Sequence, residues 1–543
     1  MLDKLLEQAK AHLNPKNPKL VTLALAFGRK ALAIDPQNLQ AHCIMARASH
    51  KMANQADAEQ WIDRALAHAP NNIALQFERA ILQLPQISRD VAQTKRGIAR
   101  YTHFLNDLIG FVDLNNPQMV SETVQALGQY YPFHLSYLKI NIRDLQALYG
   151  RFVCRVMAAH WPHWATAPIV PPITADQPIR IGIPYGHFRV QSQWFVILKG
   201  WLAALDKDRF EITGYHLSKR SDTETDFARH HCHHFVEGER SLEEWAAKIS
   251  SDQQHILIYP DTKMNLKSLR LAALRLAPVQ MAAWGQVYTT GLPSIDYFLS
   301  SDLMEPSGAD AHYTEQLLRL PNLSIHYLPD ETPQELPLPR SHFNNLRDDA
   351  VLYACSQSLW KYQPQHDFLF AHIAARLVAA NIDCQFVFLQ HKRSEALTQL
   401  FRNRLRQAFA AQQLDADQHI VTLPYLTRHE YQSLGQLADV YLDTPEWCGM
   451  ATTMELLHYA TPIVTLAGQQ FRGRTGHAIL THIDVPQTIA PDLPAYIDIA
   501  AKLGMNAEWR TDICTQMQQN APRAYRDPAP IKGLETFLTQ AVA

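Results

Sequence analysis

The chain has 543 residues, three to four domains' worth at about 150 residues each, which excludes a peptide or a lone small module. Its hydrophobic fraction of 47% and charged fraction of 19% belong to an ordinary globular chain and exclude disordered, collagen-like and rod-like classes. Fifty Lys and Arg against 52 Asp and Glu leave a net charge of −2, without the basic field that drives nucleic-acid binding, and no local basic patch replaces it.

The N-terminus MLDKLLEQAKAHLNPKNP reads as an amphipathic helix rather than a cleavable leader, and no run approaches the ~18 to 20 apolar residues of a membrane span. The seven cysteines (43, 154, 232, 355, 384, 448, 514) are scattered, odd in number and free of any C-x-x-C pair. Neither a disulfide framework nor a zinc ribbon is written here, so a reducing, cytoplasmic location without a membrane partner is expected.

Residues 31–38, ALAIDPQN, return at 65–72 as ALAHAPNN, an offset of 34 residues. That is the tetratricopeptide period, in which a helix ending in Ala-Leu-Ala closes on a Pro-Asn turn, and small residues such as Ala46 and Ala80 let paired helices approach. The segment 85–160 stays helical in pattern, and YYPFHLSYL at 130–138 reads as a worn inter-repeat turn. Residues 1–165 are thus expected to form a helical solenoid that binds a partner, or a cap docked on the next domain.

The stretch 161–178 holds five prolines and marks a boundary. From Ile179 short apolar runs alternate with helical patterns: IRIGIPY, a helix at 193–205, FEITGYHL, HILIYP, a helix near 266–275, PVQMAAWG and IDYFLSS. A Pro-rich stretch at 328–339 interrupts the alternation. It restarts with VLYACSQ, CQFVFLQ, HIVTLPYL, ADVYLDTP and PIVTLAG, separated by helices at about 365–380, 394–413, 428–436, 452–460 and 474–482. Strand and helix in turn imply parallel βαβ units. The expected fold class is α/β, two Rossmann-like doubly wound halves (179–335 and 350–500) preceded by the helical domain and followed by C-terminal helices at 501–543.

Two segments carry chemistry. Between the strands at 278–284 and 295–300 lies a polar loop, Gly285 to Gly291, at a strand's carboxyl end, where open α/β folds bind ligands; the alternative is a simple Gly-punctuated turn. In 436–457, QLADVYLDTPEWCGMATTMELL, a strand ends in Asp443, a loop carries Gly449 and a helix opens around Thr452 and Thr453. Free N–H groups at a helix N-terminus make an anion site that fits a diphosphate. Glu455 either reaches a sugar hydroxyl of a nucleotide or simply suits the helix dipole. Gln357, Ser358 and Lys361 follow another strand, and Arg428 opens a further helix; a strand-end lysine neutralises a leaving phosphate without a metal ion.

The runs APVQ, WG, TTGLPSIDYFLSSDLMEP and YTEQLLRLPNL, then GQLADVYLDTP, a glycine, ATTMELL and TPIVTLAG, resemble the cytoplasmic protein glycosyltransferases of the O-GlcNAc transferase and SPINDLY type (glycosyltransferase family 41). The chain is more loosely similar to bacterial N-glycosyltransferases that glucosylate adhesins. The resemblance covers about 179–505. It implies a GT-B enzyme whose C-terminal half binds a nucleotide sugar, metal-independently and with inversion, while a tetratricopeptide array precedes it. By position, Ser358 and Lys361 match the nucleotide- and diphosphate-binding strand end, beside Gln357. Arg428 and Tyr431 match residues flanking the base. Thr452 and Glu455 match the hydroxyl and carboxylate at the helix start that follows Gly449, with Thr453 at the following, more variable position; all are candidate nucleotide-sugar contacts.

The family's O-GlcNAc branch places a histidine in the first βα loop where this chain has Gln191, and glutamine is no general base. His187 is the nearest titratable side chain there, either a substitute base or a hydrogen-bonded structural histidine. Gln286 stands where related bacterial sequences often have the histidine of Trp-Gly-His-Pro. Lys361, His187 and Gln286 are therefore the catalytic set the resemblance implies. Three decoys read as structural: the run His230 to His234, the pair Asp415 and Asp417, and Trp161 with Trp164.

The expected activity is transfer of a sugar from a nucleotide sugar, UDP-GlcNAc or UDP-glucose, to Ser or Thr of a protein, with no cofactor and no metal. GDP-fucose as donor, Asn as acceptor, and a non-catalytic nucleotide-sugar-binding scaffold are the alternatives.

Overall fold

The computed structural model describes residues 1–13, 20–171, 173–174, 177–329 and 336–543. The centre of the Pro-rich stretch 328–339, part of the 161–178 linker and the end of the N-terminal helix pattern lie outside the described residues.

Eight helices come first: α1 (Leu2–Ala11), α2 (Val21–Ile34), α3 (Leu39–Lys51), α4 (Gln55–His68), α5 (Ile73–Ile81), α6 (Val91–Phe111), α7 (Pro117–Leu127) and α8 (Arg143–His160). The 34-residue offset maps α2 onto α4 and α3 onto α5. The repeated asparagines are the N-caps of the second member of each pair: Asn38 Oδ1 accepts from Ala41 N (3.0 Å) and Asn72 Oδ1 from Leu75 N (3.1 Å). Each satisfies a helix-start donor that would otherwise be orphaned. Ala46 and Ala80 are buried as their small size predicts.

The segment 130–138 is not a repeat turn. Pro132 breaks the chain after α7, and Phe133–Tyr137 form a single 3-10 segment wedged against the α/β halves. Further on, α8 lies against the loop before Ser294, so close that a Cβ on Gly150 would stand 2.0 Å from the Gly291 carbonyl oxygen. Gly291 itself has φ +73°, a left-handed conformation that suits glycine.

The first sheet holds β1 (Ile179–Tyr185), β2 (Phe210–His216), β3 (His234–Val236), β4 (Ile256–Tyr259), β5 (Val279–Ala283), β6 (Tyr297–Ser301) and β7 (Gln316–Leu320) in the order β3-β2-β1-β4-β5-β6-β7. The second holds β8 (Val351–Cys355), β9 (Cys384–Leu389), β10 (Ile420–Leu423), β11 (Val440–Leu442), β12 (Ile463–Leu466) and β13 (Ile489–Ala490) in the order β10-β9-β8-β11-β12-β13. Every pairing is parallel, with Ile181 of β1 opposite both Ile212 and Ile256. Central strands such as Ile256–Tyr259 are buried throughout, as helices on both faces demand. β3, β7 and β13 were not expected; they lie toward or at the sheet edges, where a short strand needs no strong apolar run.

The two sheets share one winding, with switch points between β1 and β4 and between β8 and β11. Ligands in such sheets bind beyond the carboxyl ends of the strands at those points. The final helices tie the halves together. Leu493–Met505 packs on the second sheet, while Ala529–Gln540 returns to the first, where Glu535 Oε1 accepts from Asp206 N (2.9 Å) and Phe537 meets Tyr297 edge-on at 4.9 Å.

Candidate active site

A cleft of about 260 Å³ opens between the halves. Its first wall comes from the loop and π-helical turn after β1 (Ser192, Gln193, Val196, Ile197) and from the end of β5 with the loop that follows it (Trp284, Gly285, Val287). The second wall comes from the strand ends of the C-terminal half: Gln357 and Lys361 after β8, Trp447 to Thr452 after β11, and Arg472 and Thr475 after β12. Both switch points therefore face the same space.

Lys361 is the centre of the second wall. A 3-10 turn, Leu359–Lys361, carries it back over the end of β8, where Nζ donates to Gln357 Oε1 (2.6 Å) and to Cys448 O (3.3 Å). Burial pushes its pKa down to about 8, partly offset by the Asp443 carboxylate. Nearby, Asp443 is fully buried, and burial pushes its own pKa up. It accepts from Thr444 N (3.0 Å), Gly449 N (3.1 Å) and Thr465 Oγ1 (3.0 Å) and so fixes the loop that leads into the helix Met450–Tyr459.

That helix starts two residues earlier than its sequence pattern suggests, so Glu455 lies in its second turn rather than its first. Gly449 is its N-cap and brings no capping side chain. A Cβ there would stand 1.9 Å from Gln357 Nε2, so glycine is what lets the helix start approach the lysine loop. With Gly449, Met450, Ala451 and Thr452 all lining the cleft, the positive end of the helix dipole faces the same space as the lysine.

Of the other residues singled out from sequence, Tyr431 and Thr452 meet. Their hydroxyls lie 2.9 Å apart, Ser356 Oγ donates to Tyr431 (3.2 Å), and Glu455 is close enough to act on the Tyr431 hydroxyl electrostatically. Ser358 is exposed beside the lysine turn, Arg428 is exposed at the start of its helix, and Thr453 is buried behind the cleft wall. These three are not among the cleft-lining residues.

The N-terminal half bears on two of the sequence readings. Gln286 is buried and turned inward, accepting from Thr262 Oγ1 (2.7 Å) and donating to the carbonyls of Tyr288 (3.1 Å) and Thr289 (3.2 Å). It knits its own loop rather than facing a substrate. The rest of that polar loop is spent likewise: Thr289 Oγ1 and Thr290 N donate to the Glu315 carboxylate (2.5 and 2.7 Å), and buried Lys263 donates to Thr289 O (3.0 Å). His187 does not line the cleft. It leans on Tyr185, and burial, with the Arg189 charge, pushes its pKa down to about 4. Gln191, at the position where the family places a histidine, accepts from Gln193 N (2.7 Å) and starts the π-helical turn Trp194–Leu198. Gln193 is the side chain that reaches the cleft, held by a hydrogen bond from its amide to Gly285 O.

Sequence reasoning missed Arg472, Trp447 and Thr475. Arg472 and Thr475 follow β12, next to the switch point, so strand order would have found them; Trp447 stands in a loop already singled out for its glycine. The decoys are structural. His231 stacks on Phe227 (3.8 Å) and His234 pairs with Glu211 (2.9 Å). Asp417 pairs with Arg402 and Arg406 (both 3.0 Å), and the Trp164 carbonyl accepts from Arg275 N of the first half (2.8 Å).

Two like-wound sheets facing each other across a cleft, with a lysine and a helix start on the C-terminal side, define the GT-B architecture of glycosyltransferases. Residues 327–525 match the sequence model described as glycosyl transferase family 41. That stretch contains the whole second sheet and is similar to the glycosyltransferases of family 41. The chain is 28% identical over 264 residues to the Solanum lycopersicum protein named "Probable UDP-N-acetylglucosamine--peptide N-acetylglucosaminyltransferase SPINDLY", covering 48% of this chain and 26% of that protein. It is 25% identical over 310 residues to the Arabidopsis thaliana SEC protein of the same class name, covering 55% of this chain and 30% of the relative. The matches thus span little more than a quarter of those relatives' length. In structure the chain superposes on a point variant of the Thermobaculum terrenum O-GlcNAc transferase with a TM-score of 0.70 at 21% identity, over 100% of this chain and 97% of that one. The shared fold includes the helical domain.

Proposed function

We propose that the chain transfers a sugar from a nucleotide sugar, UDP-N-acetylglucosamine first among candidates, to a serine or threonine hydroxyl of a protein, with inversion and without a metal ion. The observation that carries this reading is the convergence of Lys361 and the start of the helix Met450–Tyr459 on one cleft. The peptide-directed class names of the matched relatives support the protein acceptor and the UDP-GlcNAc donor.

In this scheme the donor's diphosphate lies against the helix start with Lys361 beside it. The acceptor oxygen attacks the anomeric carbon from the side opposite the leaving group, the bond from that carbon to the diphosphate oxygen breaks, and the nucleoside diphosphate departs. Lys361 and the helix N–H groups stabilise the charge that grows on the leaving oxygen, which is where a preorganised electrostatic site accelerates most. Among the described residues lining the cleft there is no imidazole or carboxylate. The acceptor's proton therefore passes to a donor phosphate oxygen or to solvent.

Calorimetric titration with UDP, UDP-GlcNAc, UDP-glucose and GDP-fucose, each without metal, tests the reading. Selective binding that Lys361→Ala abolishes, followed by a mass increment of one sugar on an acceptor protein, is the expected result; no binding of any nucleotide overturns it.

A further inference from the structure

We infer that the helical domain builds part of the donor site, with Tyr137 and Lys139 acting as positioning residues for the loop that carries the anion-binding helix start. This rests on the reading of the cleft as a nucleotide-sugar site.

The loop 444–449 connects β11 to the helix Met450–Tyr459 and supplies Trp447, Cys448 and Gly449 to the cleft. Asp443 anchors its base, and within it Glu446 sits at φ +69°, a left-handed conformation uncommon for a side-chain-bearing residue. The segment 137–140 of the helical domain braces this turn. Lys139 Nζ pairs with Glu446 Oε1 at 2.9 Å, and the Tyr137 ring lies 4.3 Å from that of Trp447. Trp447 in turn places its ring 5.8 Å from Lys361 Nζ. Gln363, two residues beyond the lysine, donates to Tyr137 O (2.8 Å), and Trp360 packs edge-on against Phe133 and Tyr137.

Arg472 closes the arrangement from the other side of the loop. It lines the cleft, is buried, and donates through Nη2 to the carbonyls of Leu138 (2.8 Å) and Ile140 (2.7 Å). Burial pulls its pKa down to about 10, so it remains a cation near neutrality. The backbone carbonyls of the helical domain thereby fix a charge at the cleft, while Tyr137 and Lys139 fix the loop on which the helix start depends. A shift of 133–140 moves Trp447, Arg472 and the Lys361 turn together.

Charge exchange in the full chain tests this. Lys139 is an exposed side chain paired with a mostly covered carboxylate, so its reversal leaves the core intact. UDP binding without metal is measured by calorimetry, with GDP in parallel, for wild type, Lys139→Glu, Glu446→Lys and the double exchange, alongside thermal midpoints. Each single reversal is expected to weaken UDP binding about fivefold or more, the lower end of ordinary coupling between sites, with the double exchange returning to within about twofold of wild type. Tyr137→Ala is expected to weaken binding and Tyr137→Phe to weaken it less, because Phe keeps the ring contacts with Trp447 and Trp360 while losing the hydroxyl's interaction with Trp360. A purely structural surface pair would change the midpoint without this pattern of rescue. Wild-type UDP binding matched by all the variants overturns the positioning role alone, as does a double exchange that fails to restore affinity. A wild type that binds neither nucleotide overturns the donor-site reading, and this inference with it.

Discussion

The two α/β halves are wound alike, yet their strand ends have opposite fates. In the C-terminal half the side chains after β8 and β11 turn outward to the cleft: Gln357 and Lys361 face it, and Gly449 to Thr452 open a helix onto it. In the N-terminal half the polar groups of the matching loops are consumed within the protein, with Gln286, Thr289, Thr290 and Lys263 bonded among themselves and to Glu315. Topology fixes where a site lies but not which of its walls does chemistry. That depends on which polar side chains line the shared space and which are turned away from it into the protein.

Both halves also contact the helical domain. Buried Arg404 pairs with Asp367 (2.6 Å) inside the C-terminal half and donates to Ser88 O (2.9 Å) of the helical domain, while the N-terminal half meets that domain by close backbone packing at Gly150 and Gly291 and through Arg143 Nε, which donates to Tyr313 O (2.8 Å). Removing the cation with Arg404→Met leaves the Asp367 carboxylate buried without its partner and is expected to lower stability by about 3–5 kcal/mol in denaturant titration. A loss below about 1 kcal/mol would show that the Arg404–Asp367 pair does not stabilise this part of the C-terminal half.

Next in size is Lys361→Ala, expected to reduce transfer about 10²- to 10³-fold by removing a preorganised cation from the leaving group, with the far-UV spectrum unchanged. Gly449→Ala forces its Cβ into Gln357 and is expected to destabilise the fold by about 1–3 kcal/mol and to weaken UDP binding, both read in one thermal-shift titration.

The pH dependence sharpens the contrast further. Because burial holds the Lys361 pKa at about 8, the free protein keeps the charge below that pH and loses it above. A bound diphosphate favours the protonated form, so UDP affinity is expected to be flat below pH 8 and to fall by up to about tenfold per unit above it. An affinity constant to pH 10 would remove the lysine from the binding step. The smallest effect is expected for His187→Gln in the N-terminal half, a change in kcat/KM under about threefold with no shift of the acid limb, since its ring does not line the cleft and stays neutral above a pKa of about 4.

Much of the C-terminal side was legible because its signals are local. The glycine before a helix start, the strand ending in Asp443 and the lysine four residues past Gln357 each occupy one short stretch of chain. Tyr431 and Thr452 were also singled out separately, and the structure joins their hydroxyls. His187 and Gln286 were ambiguous for a common reason: a polar residue at a strand's carboxyl end is equally suited to bonding a substrate and to bonding its own loop. Sequence position cannot choose between the two. The segment 130–138 was misread because its meaning lies in contacts with Gln363, Trp447 and Arg472, more than two hundred residues away.

By itself the sequence determined the repeat period, with Asn38 and Asn72 at the helix caps, the alternation that builds two parallel sheets, and the placing of a lysine after β8 and of a glycine and a helix start after β11. These follow from propensities and hydrogen bonds formed within a few residues. Only the tertiary structure decided which strand-end polar groups line the cleft, and that a piece of the helical domain grips the loop 444–449. Burial and pairing are properties of the packed molecule, set by what lies opposite each side chain once distant segments have met.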